Sequence, residues 1–299
     1  MKYRPIGATG AAVSSLCLSI GYDELTRGQA ALKRLIIASL EAGINAYHFD
    51  IAHPSLLQAA GEALSHVERE LLWVSLSLGG SKSDPDKTLS FAPEHLTRTV
   101  EEGLHTSGLG WFDVAVLNDP AERELPLSSL NALKALRSSG HVRLLGIKGE
   151  AQVMDTYIST GAFDALYTPS SLNNDWPIRS RLREAQKRDM AVFIYDYDRD
   201  VRPGQKAETQ PTSGKKGLLG WMGLGATSAK TDTTSFDFLH TTPGWSAAEL
   251  CLSLALTDPA VSSALISVKD TDDLTRLAQT VERHLPSRLA AQIEIARVS

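Results

Sequence analysis

Short apolar segments alternate with amphipathic helical stretches along nearly the whole chain, and this constrains the fold more than any other feature of the sequence. Between Gln29 and Ala42, Leu32, Leu35, Ile36, Ser39 and Leu40 fall on one helical face. Gly43 follows as a stop signal, and AYHFDIA then reads as a strand. The same unit recurs: helix 55–65 and strand LLWVSLS, helix 93–107 and strand FDVAVLN, helix 127–139 and strand RLLGIK. It continues with helix 150–160 and strand FDALYT, helix 178–188 and strand AVFIYDY, then helix 246–257 and strand SALISVK. Strands separated by helices predict βαβ units and a parallel sheet. About eight such units favour a closed (β/α)8 barrel of the TIM type over an open sheet. A chain of 299 residues that is 42% hydrophobic suffices for one large core, so residues 1–299 are expected to form a single domain.

Two regions break the rhythm. KYRPIGATGAAVSSLCLSI, with a Gly-rich turn between short apolar runs, predicts an N-terminal β-hairpin preceding the barrel. The stretch 199–244 lacks periodicity and leaves the C-terminal end of AVFIYDY, the barrel face that carries active sites. A surface insertion and a lid over the mouth are both compatible with it. Within it, Leu218, Leu219, Trp221, Met222 and Leu224 form an apolar run that could cover the mouth or face a partner.

Other function classes find little support. A net charge of −5 gives no electrostatic footprint for nucleic acid. No apolar run approaches the roughly 20 residues of a membrane helix. No apolar stretch follows Lys2 and Arg4, so no secretory signal is read and a cytoplasmic location is expected. Cys17 and Cys251 lie in apolar segments and read as buried small hydrophobes. No His, Asp or Glu spacing suggests a metal site.

Four stretches carry a resemblance to a known family, in order and at matching spacing: KYRPIGATGAAVSSLCLS, EAGINAYHFDIAHP, RTVEEGLHTSGLGWFDVAVLND and ALRSSGHVRLLGIKG. Together they resemble the aldo-keto reductases, over nearly the whole chain. The resemblance implies the barrel fold and hydride transfer between NAD(P)H and a carbonyl. A Tyr serves as proton donor there, a Lys tunes it, a His orients the substrate and an Asp pairs with the Lys.

Of those four positions, the Asp is kept as Asp50. The Tyr position falls at Ser55, the Lys position at Ser77 and the His position at Asn118. An aliphatic hydroxyl is a far poorer acid than a phenol, and Asn carries no charge. Lys82 is the nearest lysine to Ser77, five residues on. His53, on the loop after the strand, is a candidate substitute acid, and also reads as a mouth histidine without a role. Asp119 and His48 are weaker candidates.

For the coenzyme, the resemblance implies Ser19, Ile20 and Asp50 at the first strands, and Lys148-Gly149 where the family has a Ser-Asn pair. Tyr167 stands where it has a Gln, and Tyr195 keeps the stacking tyrosine. Ser267, Lys269, Asp270 and Asp273 lie at the phosphate-binding turn. The carboxylates there would repel a 2′-phosphate, which leans toward NAD(H) over NADP(H), although Lys269 argues the other way. Lys148 could meet the pyrophosphate or pair with Asp50; the sequence leaves both open.

Three readings follow. One is a catalytically inactive, NAD(H)- or NADP(H)-binding regulator acting through protein contacts; the second is a reductase with rearranged residues, using His53 or one of Tyr22, Tyr195 and Tyr197 as acid. The third is a barrel that has lost coenzyme. The degraded pattern is most similar to a bacterial cell-division regulator on this scaffold, which implies FtsZ, the tubulin-like division protein, and a cell-cycle histidine kinase as partners.

Overall fold

The computed structural model describes residues 1–7, 9–80, 90–174, 176–202 and 236–298. Eight parallel strands close into a barrel: β3 (Leu16–Ile20), β4 (Ala46–Phe49), β5 (Trp73–Leu78), β6 (Phe112–Asn118), β7 (Val142–Lys148), β8 (Ala165–Pro169), β9 (Ala191–Tyr195) and β10 (Ser263–Ile266). β10 pairs with β3 to complete the ring, with Leu265 opposite Cys17. A (β/α)8 barrel is therefore the architecture. It is preceded by an antiparallel hairpin of β1 (Tyr3–Pro5) and β2 (Ala12–Ser14), with Tyr3 opposite Ser14.

The helices between strands are α1 (Tyr22–Arg27) and α2 (Gln29–Glu41), α3 (Pro54–Leu64), α4 (Pro93–Ser107), α5 (Leu127–Ser138), α6 (Val153–Thr160) and α7 (Trp176–Lys187). α8 (Ala247–Ala255), α9 (Thr271–Thr280) and α10 (Leu289–Val298) complete the set. On α2 the expected face is the buried one: Leu32, Leu35, Ile36 and Ser39 are buried and Leu40 is partly so. The helix stops where Gly43 takes φ +82°, a conformation that costs other residues more.

The hairpin is smaller than its sequence suggests. LCLSI is not part of it but is the barrel's first strand, and only residues 3–14 turn back on themselves. The hairpin closes the floor of the barrel, where Ile6 and Val13 pack into the interior cluster with Cys17, Ala46, Trp73 and Phe193. Cys17 and Cys251 are both buried free thiols, and burial pushes the Cys251 thiol up to about 12. Outside the strands, the second apolar layer joins them to the helices. α3 and α4 cross closely there: a Cβ on Gly61 would stand 1.9 Å from the Ser107 carbonyl oxygen. No helix of the described residues is long and apolar enough to cross a membrane. Lys82 and the apolar Leu218–Leu224 run lie outside the described residues.

Candidate functional site

Side chains alternate across a strand, so every second residue of each barrel strand shares one face. On β4 this series is Ala46 and His48, continuing to Asp50 just past the strand; on β5 it is Trp73, Ser75 and Ser77. On β7 it ends at Lys148 and on β9 at Tyr195. The floor of the barrel is thus apolar and its upper part polar, and closure of the ring brings these upper groups together.

Their geometry is a connected network. Lys148 Nζ donates to Asp50 Oδ1 at 2.5 Å, and Ser19 Oγ donates to Asp50 Oδ2 at 2.5 Å. His48 Nε2 lies 3.3 Å from Asp50 Oδ1, 3.2 Å from Ser77 Oγ and 3.5 Å from Lys148 Nζ. Its Nδ1 is 2.8 Å from Ser75 Oγ, so the imidazole is tied at both nitrogens. His48 is fully buried and stacks on Tyr167, which stacks on Phe193.

Charge sets the protonation of this cluster. Burial works to raise the Asp50 carboxyl, but the Lys148 ammonium, with help from His48, overrides it and holds the group far below the carboxylate range. Burial lowers the His48 pKa, and the Lys148 charge adds to that, so the ring is neutral at pH 7. Burial and the carboxylates of Glu150 and Asp196 raise the Tyr195 phenol.

The mouth above the network is a cavity of about 790 Å³ whose lining includes Tyr22, Asp50, Asn118, Lys148, Gly149 and Tyr195. Arg199 links two of its lining residues, binding Glu150 on the loop after β7 (2.6 Å) and Asp196 on the loop after β9 (2.9 Å). Asp119 and Asp196 hold φ of +51° and +53°, uncommon for residues with a side chain and concentrated at functional loops. Gly149 is confined by the same loops: a Cβ there would stand 2.7 Å from Asp119 Oδ1 and 3.0 Å from Met154 Sδ.

The other sequence candidates are each held by a neighbour or lie outside the network. Ser77 is spent on His48, and Asn118 donates to the Gly80 carbonyl at 3.0 Å. His53 is the N-cap of α3, its Nδ1 accepting from the Ser55 N–H at 3.2 Å, which places Ser55 in the first turn of that helix. It therefore caps the helix, and Pro54 at the first helical position is the local signal in DIAHPSL that marks this N-terminus. Ile20 is buried, Ser267 is exposed, and Tyr167 is fully buried inside the barrel. His48, weighted least from the sequence, is the hub. Among the described residues no group of three or more His, Cys, Asp or Glu could hold a metal ion.

The barrel with its preceding hairpin has the same overall fold as solved aldo-keto reductases. The chain is similar to the aldo-keto reductase AKR11C1 from Bacillus halodurans: 18% identity to both its holo form (TM-score 0.77) and its apo form (TM-score 0.70), covering 99% of this chain and 96% of that one. It is also similar to PA4992 from Pseudomonas aeruginosa, with 16% identity over 93% of each chain and a TM-score of 0.63. At these identities the likeness shows the fold. No family model and no curated protein matches the chain.

The resemblance implies a nicotinamide coenzyme at this mouth. Lys148-Gly149 stands where the resemblance would put the pair that holds the ring amide, and a side chain at Gly149 would press on the Asp119 carboxylate and the Met154 thioether. Tyr167 is inside the barrel, so it cannot take the Gln role at the mouth. Lys148 Nζ lies over the Tyr195 ring, 5.3 Å from its centroid, where the nicotinamide would stack. At the other end, the Asp270 side chain accepts from Asp273 N and the Asp273 side chain from Lys269 N, so the turn satisfies its own donors. With Lys148 over the Tyr195 ring, the residues do not fit a nicotinamide seated there for hydride transfer.

Proposed function

We propose that this chain is a catalytically inactive homologue of the aldo-keto reductases that binds NAD(H), in preference to NADP(H), and acts as a regulator through protein contacts. One observation carries the reading: the cation beside Asp50 comes from Lys148 on β7, while Ser77 and Asn118 are engaged with His48 and Gly80. Electrostatic pairing is retained without a phenol placed to donate a proton, so coenzyme is a ligand and not a consumed cosubstrate. The carboxylates of Asp270 and Asp273 at the start of α9 support the preference for the coenzyme without a 2′-phosphate. In sequence pattern the chain resembles KidO, a division regulator on this scaffold. On that resemblance its partners are FtsZ and a cell-cycle histidine kinase, and its location is the cytoplasm.

A second reading, an active carbonyl reductase with rearranged residues, is favoured by the nearness of Lys148 to both Asp50 and Tyr195. Against it, the Tyr195 phenol is a weakened acid. Titration with NADH and NADPH, followed by reduced-nicotinamide fluorescence and then a carbonyl panel, separates the two. Binding without turnover is expected. Turnover that disappears in Tyr195→Phe establishes the second reading instead, and failure of both coenzymes to bind overturns the coenzyme part of the first.

A further inference from the structure

At the opposite end of the barrel from the mouth, a cavity of about 200 Å³ lies between the floor hairpin, α8 and the segment after α9. Four basic side chains line it, Lys2, Arg4, Arg283 and His284, and no acidic side chain is among its lining residues. Its wall holds the Ser253 hydroxyl, in a residue 9% exposed, whose oxygen has no hydrogen-bond partner. A buried hydroxyl left unpaired costs free energy that a ligand can return.

The cations here differ in how far they are neutralised. Arg283 stacks on Trp245, donates to the Gly244 carbonyl and lies 3.8 Å from Glu249. Arg4 is half-buried and binds only carbonyls, those of Asp258 (3.1 Å), Val261 (2.6 Å) and Leu256, at and beyond the end of α8. No carboxylate of a described residue pairs with it. Burial pulls its pKa down, with Asp258 the charge that opposes this. Lys2 and His284 are exposed at the rim. The cavity therefore combines a half-buried cation without a carboxylate partner, Lys2 from the same N-terminal segment, His284 from the segment after α9 and the unpaired Ser253 hydroxyl of α8. A single carboxylate has too few acceptors for donors on three sides, whereas a phosphate group presents several.

We propose that this floor cavity binds a phosphate group, free or as the monoester of a small metabolite, at a site separate from the barrel mouth. Calorimetric titration of the full chain with inorganic phosphate tests it. Saturable binding tighter than about 1 mM is expected, the range reached by a few charge-assisted hydrogen bonds. Lys2→Gln and Ser253→Ala should each weaken it by about tenfold, while Ser253→Ala leaves the melting temperature without phosphate unchanged or raised, because the lost hydroxyl had no partner. Glycerol 3-phosphate should displace inorganic phosphate from the same site. Absence of saturable binding, or binding that neither substitution alters, overturns the proposal. Arg4 is left intact in these variants because its bonds to the end of α8 also hold the fold.

Discussion

Lys148 Nζ and Asp50 Oδ1 stand 2.5 Å apart although 98 residues separate them in the chain. The pair joins the ends of β4 and β7, with β5 and β6 between them in the ring. It supplies from β7 the cation that the resemblance would have put on β5, at Ser77.

Lys148→Met should destabilise the protein by about 2–4 kcal/mol in urea unfolding, because it leaves a largely buried carboxylate without its cation. Ser77→Lys alone should also destabilise, by about 1–2 kcal/mol, since a second ammonium then crowds the first. Combined, the two should interact favourably by at least about 1 kcal/mol, as the new lysine takes over the pairing with Asp50. Strict additivity would mean that position 77 cannot reach the carboxylate.

The buried imidazole makes stability depend on pH. The His48 pKa is lowered in the folded protein, whereas in the unfolded chain it titrates near 6.5. Below that value the unfolded state takes up a proton that the folded state refuses, so stability is full above it and falls as pH falls. Between pH 7 and pH 5 the wild type should lose up to about 2 kcal/mol more than His48→Gln. Urea midpoints measured at several pH values, at constant slope, check this; parallel curves would exclude His48 as the source.

Gly61→Ala tests the crossing of α3 and α4. The added methyl carbon would meet the Ser107 backbone at 1.9–2.9 Å, and backbone cannot yield as a flexible side chain does. A loss of about 2–4 kcal/mol is expected, seen as a lower thermal midpoint with the far-ultraviolet spectrum retained. An unchanged midpoint would require the two helices to separate at no cost.

The sequence by itself determined the barrel, through its repeated change between strand and helix periodicity, and it put Ser55, Ser77 and Asn118 where the resemblance would have a Tyr, a Lys and a His. Local signals also carried Asp50 and the buried cysteines, whereas the capping position of His53 was seen only in the structure. Tertiary structure alone decided which strand begins the barrel, since LCLSI reads equally well as the end of a hairpin until β10 pairs with it. It also decided that His48 is the hub, that Tyr167 faces inward, and that Lys148 pairs with Asp50. The reason is closure: the parallel strands converge their upper side chains across the interior, so distance there is set by the barrel's diameter and stagger, which sequence separation does not encode.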